Sequence, residues 1–122
     1  MSREKLVLIL GALSLVFFGC EEIFERNLYG EIVTLVAPTN DVVSSEIEHQ
    51  FTWDRLDGLS EYQLQIVTPT FDSIAALIID TVTASNLVRV TLSRGHQYQW
   101  RVRAMNSAYS SLFSKPWTLT IQ

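Results

Sequence analysis

From Glu31 onward, apolar and polar residues alternate with a period of two, and turn signals recur every eight to twelve residues. That is the pattern of short half-buried strands, not of helices. The first run covers residues 32–37 and stops at Pro38-Thr39-Asn40-Asp41, a turn signal. The second covers residues 47–53, with Ile47, His49, Phe51 and Trp53 on one face. Leu56-Asp57-Gly58 turns the chain into residues 61–67, where Tyr62, Leu64 and Ile66 point inward and Gln63 and Gln65 outward. Residues 68–73 read as a loop, and residues 76–83 as a fourth strand interrupted by Asp80. Ala75-Ala76-Leu77 favours a helix over residues 73–79. The β-branched Ile78, Ile79, Thr81, Val82 and Thr83 pull the other way. A fifth strand covers 87–92, and Ser93-Arg94-Gly95 is the next turn. Residues 96–104 alternate most cleanly: Tyr98, Trp100, Val102 and Ala104 on one face, Gln97, Gln99, Arg101 and Arg103 on the other. After a loop the last strand covers 117–121. Seven short strands without a helical period predict an all-β, antiparallel, immunoglobulin-like sandwich.

The expected core is Leu35, Phe51, Trp53, Tyr62, Leu64, Ile66, Val90, Leu92, Trp100, Val102, Trp117 and Leu119. At ~1.5–3 kcal/mol for each large side chain, this set can drive folding without disulfides.

The N-terminal part has a different character. Arg3 and Lys5 precede residues 6–18, an apolar run of thirteen whose sole polar member is Ser14, and Gly19-Cys20 follows. A basic start, a short apolar stretch and a small residue before the cut make a secretory signal. As a helix the run reaches about 20 Å, short of a ~30 Å hydrocarbon core. It has no amphipathic face, which excludes a core helix.

Phe17-Phe18-Gly19-Cys20 resembles a bacterial lipobox. The resemblance implies that Cys20 becomes the mature N-terminus and carries diacylglycerol and acyl chains, the sole covalent group expected, with no other cofactor. Two or three such chains hold a protein stably on a membrane. The expected organisation is a lipoprotein signal peptide over 1–19, an acidic tether over 20–30 and one domain over 31–122.

Composition narrows the function classes. The chain has 122 residues, 48% of them hydrophobic, and a single Cys, so no internal disulfide forms. Nine Lys and Arg against thirteen Asp and Glu give −4, the wrong sign for a nucleic-acid binder. Without the first nineteen residues the balance is −5, which repels the domain from anionic headgroups. Glu21, Glu22 and Glu25 follow Cys20 directly. They resemble the acidic export signal of Bacteroidota surface lipoproteins; a solvated tether is the other reading, and both stay open.

Candidate chemistry is sparse. His49 and His96 are the two histidines, and no third ligand stands at metal-binding spacing, so no metal site is expected. No Gly-x-Ser-x-Gly elbow and no phosphate-cradling glycine loop is present. Asp54 and Asp57 flank the turn after the second strand, where turn formation beside Gly58 explains them better than a glycosidase carboxylate pair. No enzyme activity is expected.

The stretch from Leu92 through Gly95 and Tyr98 to Ala104 has the spacing of a tyrosine corner, in which a Tyr hydroxyl bonds back to upstream backbone. With Trp53 and Tyr62-Gln63-Leu64-Gln65-Ile66, it resembles a fibronectin type III domain over residues 32–122. The whole chain resembles small Bacteroidota outer-membrane lipoproteins bearing one such module.

That resemblance implies that the third and sixth strands lie side by side. Gln63, Gln65, Gln99, Arg101 and Arg103 then form a flat polar patch whose amide and guanidinium forks suit hydroxyl-rich or acidic groups. Tyr109 stands in a loop with the Tyr/Ser/Asn composition of adaptable binding loops. The expected function is a lipid-anchored, non-enzymatic interaction module on the outer membrane, partnered by another envelope protein. The alternative is a carbohydrate-binding accessory lipoprotein of a polysaccharide-uptake system, which an exposed Tyr109 or Phe71 beside the patch favours.

Overall fold

The computed structural model describes residues 27–59 and 61–122, all strand, turn and irregular backbone without a helix. The expected signal segment and Cys20 lie outside the described residues. The strands are β1 (Leu35–Ala37), β2 (Val42–Ser44), β3 (Glu48–Trp53), β4 (Glu61–Thr70), β5 (Ser73–Thr83), β6 (Leu87–Thr91), β7 (His96–Met105) and β8 (Trp117–Ile121). They form a three-stranded sheet in the order β1-β3-β6 and a five-stranded sheet in the order β2-β8-β7-β4-β5.

Period-two patterning dictates which faces meet. On β4 the residues Tyr62, Leu64 and Ile66 are fully buried, and on β7 Trp100, Val102 and Ala104 are too. Phe51 and Trp53 of β3 close on them from the smaller sheet. The Phe51 and Trp100 rings meet edge to face at 5.1 Å, which joins the two sheets directly. Of the expected core only Trp117 is not buried outright; it packs against the cluster and meets Trp100 edge to face at 6.0 Å. Leu28, Val33, Leu59 and Ile121 join the core as well. Leu28 lies within the segment expected as tether, so the packed unit reaches back at least to it.

The strand count differs from the expected seven. Residues 42–44 form an extra strand, β2, paired parallel with β8 through Val42↔Leu119 and Ser44↔Ile121. The sandwich is therefore not wholly antiparallel. A three-residue strand carries too little alternation to register as a period.

Residues 68–73 are not a loop. β4 continues to Thr70 and β5 begins at Ser73, leaving Phe71-Asp72 as the hairpin turn. Nor is there a helix over residues 73–79, which lie in an eleven-residue strand. Pairing with β4 along that whole length overrides the local preference of Ala75-Ala76-Leu77. Gly58 (φ 74°) and Gly95 (φ 79°) occupy the left-handed backbone region that their turns require.

Candidate functional site

The outer face of the larger sheet holds the polar residues expected there. β4 and β7 pair with Gln63 opposite Arg103 and Gln65 opposite Arg101, while β5 brings Val82 opposite Gln63 and Asp80 opposite Gln65. The two glutamines act as relays. Each turns its amide nitrogen to Asp80, Gln63 Nε2 at 2.7 Å from Oδ1 and Gln65 Nε2 at 3.3 Å from Oδ2. Each turns its carbonyl to a guanidinium: Gln63 Oε1 accepts from Arg103 Nε at 2.7 Å, and Gln65 Oε1 from Arg101 Nε and Nη2 at 3.0 and 2.8 Å. An anion and two cations are thus coupled through oriented amide dipoles. Gln99, further along the face, accepts from the Phe71 amide at 2.9 Å and donates to Thr118 Oγ1 at 3.2 Å.

Two aromatic rings cover this network. The Arg101 guanidinium carbon lies 4.1 Å from the Phe71 ring centre and 4.2 Å from that of Phe113, and Arg103 lies 4.6 Å from Phe113. Burial pulls the Arg101 pKa below its ordinary value; Arg103 presses the same way and Asp80 opposes. The flat polar patch expected on this face is thus a hydrogen-bonded layer, with Phe71 and Phe113 over its guanidinium groups. Tyr109 is exposed on the loop beyond β7, held by a turn in which Asn106 Oδ1 accepts from Ala108 and Tyr109 amides. It is not part of the network.

Phe113 was not legible as a site residue, and neither were its neighbours. Beyond Trp100, β7 no longer pairs with β8, and residues 111–114 run alongside in its place. Ser111 Oγ accepts from the Ala104 amide at 2.9 Å, and Ser114 Oγ accepts from the Val102 amide at 3.1 Å. Both serines are buried.

At the two ends of the sandwich a tyrosine hydroxyl fastens a turn. Tyr98 accepts from the Ser93 amide at 3.0 Å, and its oxygen lies 3.3 Å from the Ser93 carbonyl, to which it donates. Leu92 is buried beside this turn and Gly95 lies within it. Tyr62 does the same for the β3–β4 turn, accepting from the Leu56 amide at 2.9 Å and donating to the Leu59 carbonyl at 3.3 Å. A signal for the second clamp exists: Leu56 and Tyr62 repeat the six-residue spacing of Leu92 and Tyr98, with Gly58 one position earlier in the span than Gly95. Arg94 spans outward, its Nη1 donating to the Ser45 carbonyl at 2.7 Å and the Gln122 carbonyl at 3.2 Å.

The histidines are apart, His49 on β3 and His96 on β7, in different sheets. His49 Nε2 is 2.9 Å from the Glu46 carbonyl. Among the described residues no three His, Cys, Asp or Glu side chains gather as a metal site.

The remaining feature is the outermost strand. β5 has one neighbour, β4, and exposes Ile74 (54%), Leu77 (57%), Ile78 (38%) and Val82 (54%). Folded monomers seldom leave so many large apolar side chains together on one edge.

No family model matches the chain, and no curated protein does. Solved structures do. The twitchin kinase region from C. elegans (Fn31-NL-kin-CRD-Ig26) is similar at 16% identity with a TM-score of 0.53, over 79% of this chain and 17% of that one. "FN3tt mut" is similar at 21% identity and TM-score 0.46, over 74% of this chain and 86% of that one. Titin kinase and its flanking domains give 18% identity and TM-score 0.48, over 75% and 16%. The fold is fibronectin type III-like.

Proposed function

We propose that this fibronectin type III-like chain is a non-enzymatic interaction module, acylated at Cys20, held on the bacterial outer membrane and docking an envelope protein. The observation that carries the docking is the exposed apolar edge of β5. Support for the anchor is the apolar run ending at Gly19-Cys20, with the packed unit beginning by Leu28, so that a short acidic segment separates lipid from domain. A protein partner fits better than a glycan. The amides of Gln63 and Gln65 spend donor and acceptor within the sheet, and Phe71 lies against Arg101. A sugar needs open forks and a free aromatic platform.

The test has two arms. In producing cells, radiolabelled palmitate labels the native chain and not Cys20→Ser; an unlabelled native chain overturns the anchor. Cross-linking of intact cells traps adducts of the native chain that Leu77→Lys loses. Absence of adducts, or adducts unchanged by Leu77→Lys, overturns the docking edge.

A further inference from the structure

We infer that Arg103 seats a carboxylate of the docked protein, while Val82, in the same cross-strand row, takes an apolar side chain beside it. The inference rests on the docking reading and names the partner's chemistry: an acidic and an apolar group about 10 Å apart, two inter-strand spacings.

The row fixes the juxtaposition. Val82 of β5 is exposed and lies opposite Gln63 of β4, which lies opposite Arg103 of β7, all on the outer face of the larger sheet. In sequence across the strands the row is apolar, amide, cation. The neighbouring row of Asp80, Gln65 and Arg101 has an anion where this one has Val82. A carboxylate approaching along the Asp80 row is repelled, so the Val82 row is the one that admits it.

The donors left over select the ligand. The sheet uses Nε of Arg103, bonded to Gln63, and both terminal nitrogens of the guanidinium remain as an open fork. Among the described residues no carboxylate is ion-paired with Arg103; Asp80 reaches it only through the Gln63 amide. Such a fork donates and cannot accept, whereas a sugar hydroxyl exchanges bonds in both directions. The matching group is an ionised carboxylate, which only accepts and presents two oxygens to the two nitrogens.

The fork is held before any partner arrives. Gln63 fixes Nε and the Phe113 ring lies against the guanidinium, so little side-chain entropy remains to be lost on binding. Arg101 is less open: Phe71 and Phe113 both lie on it, and Gln65 takes its Nε and Nη2. Arg103 presses against the charge of Arg101, and an anion at Arg103 relieves that pressure. The net negative charge of the chain is screened beyond ~8 Å at physiological salt. Glu61 stands on the same face of β4, two residues before Gln63, and its charge opposes the partner's.

The test reads Arg103 itself. The full chain in detergent micelles is titrated with a capped tetraglutamate peptide at constant ionic strength, a tetraglutamine peptide serving as control, and the arginine Nε–H resonances are followed by NMR. The expected result is a saturable shift at Arg103 with the acidic peptide alone, at least threefold larger than at Arg55 or Arg89. Read at the Gln63 side-chain amide, the affinity rises at least twofold in Glu61→Gln and falls at least fivefold in Arg103→Lys, which keeps the charge and loses the fork. No saturable shift at Arg103, or equal shifts at all three arginines, overturns the seat. In intact cells the cross-linked adducts of the native chain are lost in Arg103→Glu and kept in Arg89→Glu, on β6 of the other sheet. Adducts unchanged by Arg103→Glu overturn the acidic contact and leave the docking edge standing where Leu77→Lys removes them; no adducts from the native chain overturn both.

Discussion

Tyr98 engages both main-chain polar atoms of Ser93, accepting from its amide and donating to its carbonyl. One hydroxyl thereby fixes the β6–β7 turn against the strand that follows it. Tyr98→Phe removes both bonds and keeps the ring, so its cost is that of the hydroxyl, about 0.5–1.5 kcal/mol. Urea denaturation checks it: the midpoint falls and the slope does not change.

Tyr62 makes the corresponding pair with Leu56 and Leu59, but it is fully buried. Tyr62→Phe strands these groups where water reaches them poorly, at about 1–3 kcal/mol. The same titrations rank it above Tyr98→Phe.

Ser114 supplies a side-chain acceptor where a neighbouring strand would supply a carbonyl. Ser114→Ala leaves the Val102 amide unpaired in the interior, again about 1–3 kcal/mol. Amide hydrogen exchange reads the site directly, with Val102 losing protection before its neighbours on β7.

Phe113 touches Arg101 and Arg103 together. A double-mutant cycle of Phe113→Ala with Arg101→Gln gives a coupling of about 0.5–2 kcal/mol, as expected for a partly desolvated cation over a ring. Additive effects of the two changes contradict the stacking.

Much of the fold was legible because burial on one face imposes alternation: residues 96–104 announce β7, and all but one of the twelve expected core residues are buried. The β4–β5 hairpin was not, because Pro69 reads as a breaker. β7 pairs with β4 only as far as Val67↔Gln99, and Pro69 lies beyond, paired with β5 alone. Its missing N–H falls on the side where no ladder remains, as the approach of Gln97 Nε2 to its carbonyl indicates.

At the outer face, sequence placed Gln63, Gln65, Gln99, Arg101 and Arg103 on one surface but could not show what they bond to. Phe71 and Phe113 arrive from a hairpin tip and an irregular lead-in, contacts set by tertiary proximity with no period to reveal them. Asp80 looked like an interruption of a strand. Opposite Gln65, it is the counter-ion of the layer.

The parallel pairing of β2 with β8 has a mechanical consequence. Tension between an N-terminal attachment and the C-terminus draws these strands past each other along their length. The bonds between them are then loaded together instead of opening one by one, so the earliest and latest strands of the larger sheet act as a shear latch against stretching.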